Sequence, residues 1–243
     1  MTRAGSGNFG AGFRDVKLVS VHPYEMIGGH VVIETDDGAL LLDTGAPTSV
    51  GPAELHISGR VFRLRPCYGY VTPAYLSREI RTRIDGLLGV DVLREFVLCL
   101  DPNRQLASFA SEVAELPVAV PIDLVAGVPV MEVSVGNKVI RAFFDTGAAL
   151  SYLSPELTVE TPAVGRREDF YPGLGTFETD VFDLETQIGP ERLRLTYGHL
   201  PHALQRSLMR TSTKGIVGSE LLESFVCALS LKDRELRLLR IDR

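Results

Sequence analysis

Leu41-Leu42-Asp43-Thr44-Gly45-Ala46 is answered 102 residues later by Phe143-Phe144-Asp145-Thr146-Gly147-Ala148. Each stretch sets one acid directly after a short apolar run and directly before Thr-Gly. The glycine permits a sharp turn that a side chain would obstruct. The acid is therefore expected at a strand end, not deep in a core. One such tripeptide is an ordinary turn. Two at equivalent places of a duplicated chain are a different matter, because a pseudo-twofold axis brings equivalent positions together.

The duplication extends well beyond these loops. Arg63-Leu64-Arg65-Pro66-Cys67-Tyr68-Gly69 recurs as Arg192-Leu193-Arg194-Leu195-Thr196-Tyr197-Gly198, an offset of 129. The same offset carries Gly86-Leu87-Leu88-Gly89 onto Gly215-Ile216-Val217-Gly218, and Leu93, Phe96, Val97 and Leu100 onto Leu222, Phe225, Val226 and Leu229. With Ala74/Ala203, Arg81/Arg210 and Thr82/Thr211 there are 14 identities in 38 ungapped positions, Arg63–Leu100 against Arg192–Leu229. The two offsets, 102 and 129, differ by 27 residues, which the second copy must carry between Asp145 and Arg192. The chain thus divides into a Gly-rich tail over residues 1–15, one lobe over 16–116 and a second over 117–243.

Local patterns indicate strands. Val31 to Thr35, the turn Asp36-Asp37-Gly38 and Ala39 to Leu42 form a strand, tight turn and buried strand. Met131 to Val135, Gly136-Asn137 and Val139 to Phe144 repeat the unit. A short helical stretch is expected after each Gly-x-x-Gly, at Asp91–Glu95 and Glu220–Ser224. Closing hairpins are expected to turn at Asp101-Pro102-Asn103 and Lys232-Asp233. The fold class is all-β, which 23 Gly, 14 Pro and no Trp also favour.

Composition narrows the function. A hydrophobic share of 45% with 23% charged residues is that of a globular chain, and the longest apolar runs are too short to cross a bilayer. A net charge of −6 argues against nucleic-acid binding, which needs a basic surface. Three cysteines, Cys67, Cys99 and Cys227, give no disulfide framework or Cys-rich metal site. Gly5-Ser6-Gly7-Asn8-Phe9-Gly10 fits G-x-G-x-x-G, but no strand precedes it and no helical period follows, so a flexible tail is expected. Met1 to Gly5 leads into no apolar segment, which makes a cytoplasmic location the expectation. His199 and His202 lack a third ligand, so no metal or other cofactor is expected.

Two carboxylates close together cannot both ionise; they share a proton, one acting as base while the other acts as acid. A water between them could attack an amide carbonyl without a metal or a covalent intermediate. In these paired motifs, each followed by an apolar-apolar-Gly segment, the chain resembles pepsin-like and retropepsin-like aspartic proteases over roughly residues 16 to 240. The resemblance implies two pseudo-twofold-related β-barrel lobes with a cleft between them, and Asp43 and Asp145 as the catalytic dyad. It further implies that Thr44 and Thr146 lock the loops together, that Gly45 and Gly147 support the carboxylates, and that Gly86–Gly89 and Gly215–Gly218 thread beside each loop. Ala46 and Ala148 complete the loops, as in retropepsins; pepsins carry Ser or Thr there.

The resemblance also implies an endopeptidase that binds an extended peptide or protein substrate in the cleft, with no nucleic-acid or membrane partner. Both acids lie on one chain, so the active unit is expected to be a monomer. The flap belongs to the N-terminal lobe in pepsins. Here the extra residues point to a flap only in the second lobe, near 168–180, with Phe170, Tyr171, Pro172, Gly173, Leu174 and Gly175 over substrate. Asp85 is a further candidate for substrate selection. The rival reading is a catalytically silent peptide-binding scaffold with the same fold; a protease that cuts only itself is a third.

Overall fold

The computed structural model describes residues 17–113, 115–171 and 175–241. The expected Gly-rich tail at 1–15 lies outside them. The first half of the chain runs β1 (Leu18–Ile27), β2 (His30–Thr35), β3 (Gly38–Leu42), β4 (Leu55–Ile57), β5 (Arg60–Phe62), helix α1 (Pro73–Ile80), β6 (Gly86–Leu88), helix α2 (Val90–Leu93), β7 (Val97–Asp101) and β8 (Leu106–Ala110). The second half runs β9 (Val118–Val125), β10 (Val128–Val135), β11 (Lys138–Phe144), β12 (Ser151–Leu153), β13 (Gly165–Tyr171), β14 (Gly175–Ile188), β15 (Glu191–Gly198), helix α3 (His202–Arg210), β16 (Gly215–Val217), β17 (Phe225–Ser230) and β18 (Glu235–Arg240). The fold class is all-β, as the sequence indicates. The two expected helical stretches are α2 and a 3-10 turn over Ser219–Glu223. The two closing hairpins are β7–β8 and β17–β18.

All strands except the β4–β5 hairpin belong to one hydrogen-bonded sheet system. Its middle is built from both halves: β7 pairs with β17 through Leu100↔Cys227 and Cys99↔Ala228, and β18 pairs with β9. Cys99 and Cys227 are buried free thiols there, used as small apolar groups, and burial pushes both thiols up, Cys99 to about 12. Along β9, Val118, Val120 and Ile122 face inward while Ala119, Pro121 and Asp123 face out, the two-residue period of a sheet with one wet face.

The duplication is structural as well as sequential. β3 runs parallel to β6 with Leu40↔Gly86, Leu41↔Leu87 and Leu42↔Leu88. β11 runs parallel to β16 with Ala142↔Gly215, Phe143↔Ile216 and Phe144↔Val217, the same register at the same two offsets. One apolar cluster draws on both halves, from Tyr24 and Ile33 to Phe225 and Leu238. Two smaller ones are local. One gathers Val32, Leu41, Val50, Leu76 and Leu87; the other gathers Leu150, Tyr152, Leu200, Leu208 and Ile216. Each fully buried large aliphatic side chain contributes about 1.5–3 kcal/mol, so these clusters fix where β3 and β11 end.

Helices α1 and α3 are not anticipated by the strand pattern. Thr72 caps α1, accepting from Tyr75 N at 3.1 Å, and Pro73 occupies its first turn. Pro201 stands one position earlier, as the N-cap residue of α3 with no side-chain cap, so the proline that breaks the chain at His199–His202 also precedes a helix. The repeated heptapeptide diverges. Arg192–Gly198 lies in β15, whereas Arg63–Gly69 is irregular, with Pro66 where Leu195 stands in the copy.

Candidate active site

β3 and β11 each end in an Asp-Thr-Gly loop, and the neighbouring parallel strand holds each acid at its backbone. Asp43 N donates to Leu88 O at 3.0 Å and Asp145 N donates to Val217 O at 3.0 Å. The Gly86–Gly89 and Gly215–Gly218 segments therefore lie beside the loops, where the resemblance puts them.

The loops grip each other reciprocally. Thr44 N donates to Thr146 Oγ1 at 3.1 Å and Thr146 N donates to Thr44 Oγ1 at 2.9 Å. The hydroxyls donate onward, Thr44 Oγ1 to Phe144 O and Thr146 Oγ1 to Leu42 O, both at 2.8 Å. Both threonines are fully buried. Removing either hydroxyl would strand buried donors and acceptors at about 1–3 kcal/mol each. The glycines permit the approach. A Cβ on Gly45 would lie 2.2–2.5 Å from the Asp145 carboxyl, and one on Gly147 2.4–2.6 Å from the Asp43 carboxyl. Each glycine thus packs against the acid of the opposite loop.

Asp43 Oδ1 accepts from Gly45 N at 2.9 Å and Ala46 N at 2.8 Å; Asp145 Oδ1 accepts from Gly147 N at 2.9 Å. Both carboxyls are partly open to a cavity yet sit deep in the protein. Burial, then the charge of Asp145 and a hydrogen bond with it, pushes Asp43 well above the ordinary carboxyl range. Burial also raises Asp145, against the backbone N–H of Gly147 and the hydrogen bond from Asp43. The two carboxyls thus titrate as one coupled pair that keeps a shared proton above the ordinary carboxyl range.

The cavity above the acids holds about 300 Å³ and is lined by both halves. Leu41, Ala46, Val71, Leu76 and Leu87 form one wall; Ala148, Tyr152, Leu200 and Ile216 form the other. A second apolar recess, about 210 Å³, opens beside Asp145 against Phe143, Leu204 and Leu208. The Leu200, Leu204, Leu208 spacing across Pro201 and α3 is the sequence signal that could have located this wall. The irregular Tyr68–Val71 segment also borders the cavity. It is closed on itself by Tyr68 N to Val71 O and Val71 N to Tyr68 O, both at 3.0 Å.

The expected flap region is a β13–β14 hairpin, paired from Gly165↔Val181 to Tyr171↔Gly175. Pro172, Gly173 and Leu174 lie outside the described residues. Phe170 packs on the first-half cluster and on the His30 ring, at 5.5 Å between centroids. Tyr171 borders both cavities; burial and the nearby Asp145 and Asp43 raise its phenol above the ordinary range. Asp85 is not among the cavity residues. It accepts from Ala39 N at 3.0 Å and pairs with Arg83 at 3.0 Å, holding the turn at Gly38. His199 bonds Thr158 Oγ1 at 2.8 Å and stacks on Phe182 at 4.9 Å, while His202 is exposed. Among the described residues no group of three His, Cys, Asp or Glu side chains is placed to hold a metal.

No protein-family model and no curated protein matches the chain. The chain is similar to proteases of known structure. The protease of simian foamy virus (mac) is 11% identical over 37% of this chain and 88% of its own, with a TM-score of 0.29. A retropepsin-like aspartic protease from Rickettsia conorii is 17% identical over 50% of this chain and 88% of its own, with a TM-score of 0.36. Each match spans half of this chain or less, and the pairing of the two loops is seen directly in the chain's own hydrogen bonds. No helix among the described residues is long and apolar enough to cross a membrane.

Proposed function

We propose that the chain is an aspartic endopeptidase of two lobes, residues 16–116 and 117–243, with Asp43 and Asp145 as its catalytic dyad. The observation that carries this reading is the reciprocal Thr44–Thr146 grip, with each glycine set against the opposite carboxyl. Such a grip is costly to maintain in a scaffold that needs only a groove, because it confines two acids where both cannot ionise. In the reaction a water held between the acids gives a proton to the ionised carboxylate as it attacks the scissile carbonyl. The protonated acid hydrogen-bonds the carbonyl oxygen as charge develops there. Collapse of the tetrahedral intermediate breaks the C–N bond, with a proton delivered to the leaving amine. An extended peptide would lie across the cavity with strand-like hydrogen bonds. Apolar side chains would fill the recesses at Leu41–Leu76–Leu87 and at Phe143–Leu204–Leu208. The β13–β14 hairpin would act as the flap, and both acids on one chain make a monomer sufficient.

Digestion of a diverse peptide library, with and without a statine-type transition-state mimic, tests the proposal. Cleavage between apolar residues that the mimic abolishes is expected. Binding of the mimic without cleavage would make the chain a silent peptide-binding scaffold instead, and chelator-sensitive cleavage would point to a metal enzyme.

A further inference from the structure

The hairpin is tied down at two successive residues, one to each half of the chain. Asp169 Oδ2 accepts a short hydrogen bond from Tyr152 Oη, and Asp169 Oδ1 accepts from Phe170 N at 2.8 Å. Tyr152 stands on β12 next to the Asp145 loop and is buried, with its ring in the cavity wall. Phe170 reaches the opposite side, packing on the first-half apolar cluster that contains Leu41, Leu76 and Leu87, and against the His30 ring. His30 opens β2, is 5% exposed, and its Nδ1 lies 2.9 Å from Gly147 O. The carbonyl can only accept, so Nδ1 carries the hydrogen and the ring is fixed in orientation. Gly147 N in turn holds Asp145 Oδ1. The seat on which Phe170 rests is thus bonded to the same residue that supports one of the two acids.

β14 is further held by Phe177 beside Tyr152, by buried Thr179 and Val181 and by Arg166, which pairs with Glu178 and Asp180, whereas β13 is held mainly by its ladder to β14. Residues 165–168 of β13 are exposed, and a Cβ added to Gly175, at the far side of the turn, would meet nothing within 4 Å. The exposed β13 strand and the open side at Gly175 make this end of the hairpin easier to displace than the core sheet, so specific bonds there decide its position. The residue immediately after the ties is Tyr171, which faces the acids.

We propose that Asp169 is a positioning residue: its bond to Tyr152, with Phe170 seated on His30, latches the hairpin so that Tyr171 is held over the two carboxyls. The inference rests on the endopeptidase reading for its effect on rate, but the latch itself is a property of the unliganded chain. Asp169 touches no reacting atom. It acts through the backbone of Phe170 and Tyr171.

The test compares Tyr152→Phe, Asp169→Ala, Asp169→Asn and the Tyr152→Phe/Asp169→Ala double variant with wild type. Amide hydrogen exchange across residues 165–171 and 175–181 is read in the protein alone, and kcat and KM are read on a peptide that the wild type cleaves. Tyr152→Phe keeps the ring in its pocket, so the fold is retained and only the hydroxyl is lost. Exchange in the hairpin should rise about tenfold in Tyr152→Phe and in Asp169→Ala alike. kcat should fall by about one order of magnitude in each, with KM changed less. The double variant should be no worse than the worse single one, because both remove the same bond. Asp169→Asn should restore most of both readouts, since its amide oxygen can accept from Phe170 N and its NH₂ can donate to Tyr152 Oη. Unchanged exchange in Tyr152→Phe would overturn the latch whether or not the chain cleaves peptides. Raised exchange with normal kcat would overturn the positioning role, as would an Asp169→Asn variant as impaired as Asp169→Ala. A wild type that cleaves nothing would sink the endopeptidase reading, and the exchange data alone would then decide the latch.

Discussion

The segments that follow Asp43 and Asp145 begin alike and end differently. Both make the same turn and the same reciprocal threonine bonds. After Asp43 the chain forms only β4 and β5, three residues each, with Leu55 and Ile57 buried in the main core. After Asp145 it forms β13 and β14, seven and fourteen residues long, with most of β13 exposed. One hairpin is an element of stability and the other lies against the cavity. Two carboxyls can share a proton only if both loops are intact, which constrains the loops equally. On the proposed reading one cover over the site suffices, which would leave the regions beyond the loops free to diverge.

The largest test of this comparison is on the part that is equal. Asp43→Asn and Asp145→Asn should each lower peptide cleavage by about four orders of magnitude or more, and the double variant should be little worse, because the pair acts as one unit. Rates of purified variants, with circular dichroism to show retained fold, check this. A single variant keeping a tenth of the activity would break the symmetry of the two loops.

The unequal part should respond in the opposite way in its two halves. Replacing residues 170–177 by a short Gly-Ser turn should reduce cleavage by roughly two orders of magnitude, the scale that mispositioning can cost. The unfolding midpoint should change little, since few buried contacts are lost. Leu55→Ala in the other hairpin should do the reverse. It should lower stability by about 2–5 kcal/mol through the cavity it leaves, and the folded fraction should keep its normal rate. Denaturant titration and kcat/KM on the same two variants decide the matter; if the shortened hairpin destabilises the chain as much as Leu55→Ala, the contrast fails.

Much of this was legible in the residues. Two Asp-Thr-Gly-Ala loops, held in constant register with two Gly-x-x-Gly segments, carry enough information to place β3, β6, β11 and β16 and the closing hairpins. The 27-residue difference in offset locates the β13–β14 hairpin. Illegible were the features that depend on contacts distant in sequence. His30 meets Gly147 across 117 residues, and nothing in Gly28-Gly29-His30 marks it. Tyr152 and Asp169 look like ordinary strand and loop residues until β12 and β13 are folded together. Helices α1 and α3 are eight and nine residues long and too short for periodicity to outweigh a strand-rich context. The two copies of the repeated heptapeptide start with the same Arg-Leu-Arg but fold differently, because Pro66 lacks the backbone donor that a paired strand requires.

A smaller effect should appear in stability against pH. The carboxyl pKa values of the dyad are raised in the folded chain, chiefly by burial. A group with a raised folded pKa contributes stability that is fully present below its unfolded value, near 4, and that is lost as pH rises through the folded value. At neutral pH the dyad therefore costs stability. Asp43→Asn removes a carboxyl that must hold a proton in the folded chain, while its amide oxygen can still accept from Gly45 N and Ala46 N. Its unfolding midpoint should exceed that of wild type by a few degrees at pH 7, and the gap should close below pH 4. A variant less stable than wild type at pH 7 would contradict the raised values.

The smallest effect expected is a shift in the working pH. Ala46 and Ala148 offer the acids only backbone N–H groups, and their methyls pack against the two local apolar clusters. A hydroxyl at these positions could donate to a carboxylate and favour its charged form, which lowers the pKa of the pair. Catalysis needs the pair to hold one proton, so the active window lies between its two apparent pKa values and moves with them. Ala46→Ser combined with Ala148→Thr should therefore shift the rate–pH profile toward acid by about one unit or less, with the maximal rate changed only a few-fold. Either single variant should move it by part of that amount. A profile that stays in place, or moves toward base, would show that the missing hydroxyls do not set the pH range of this dyad.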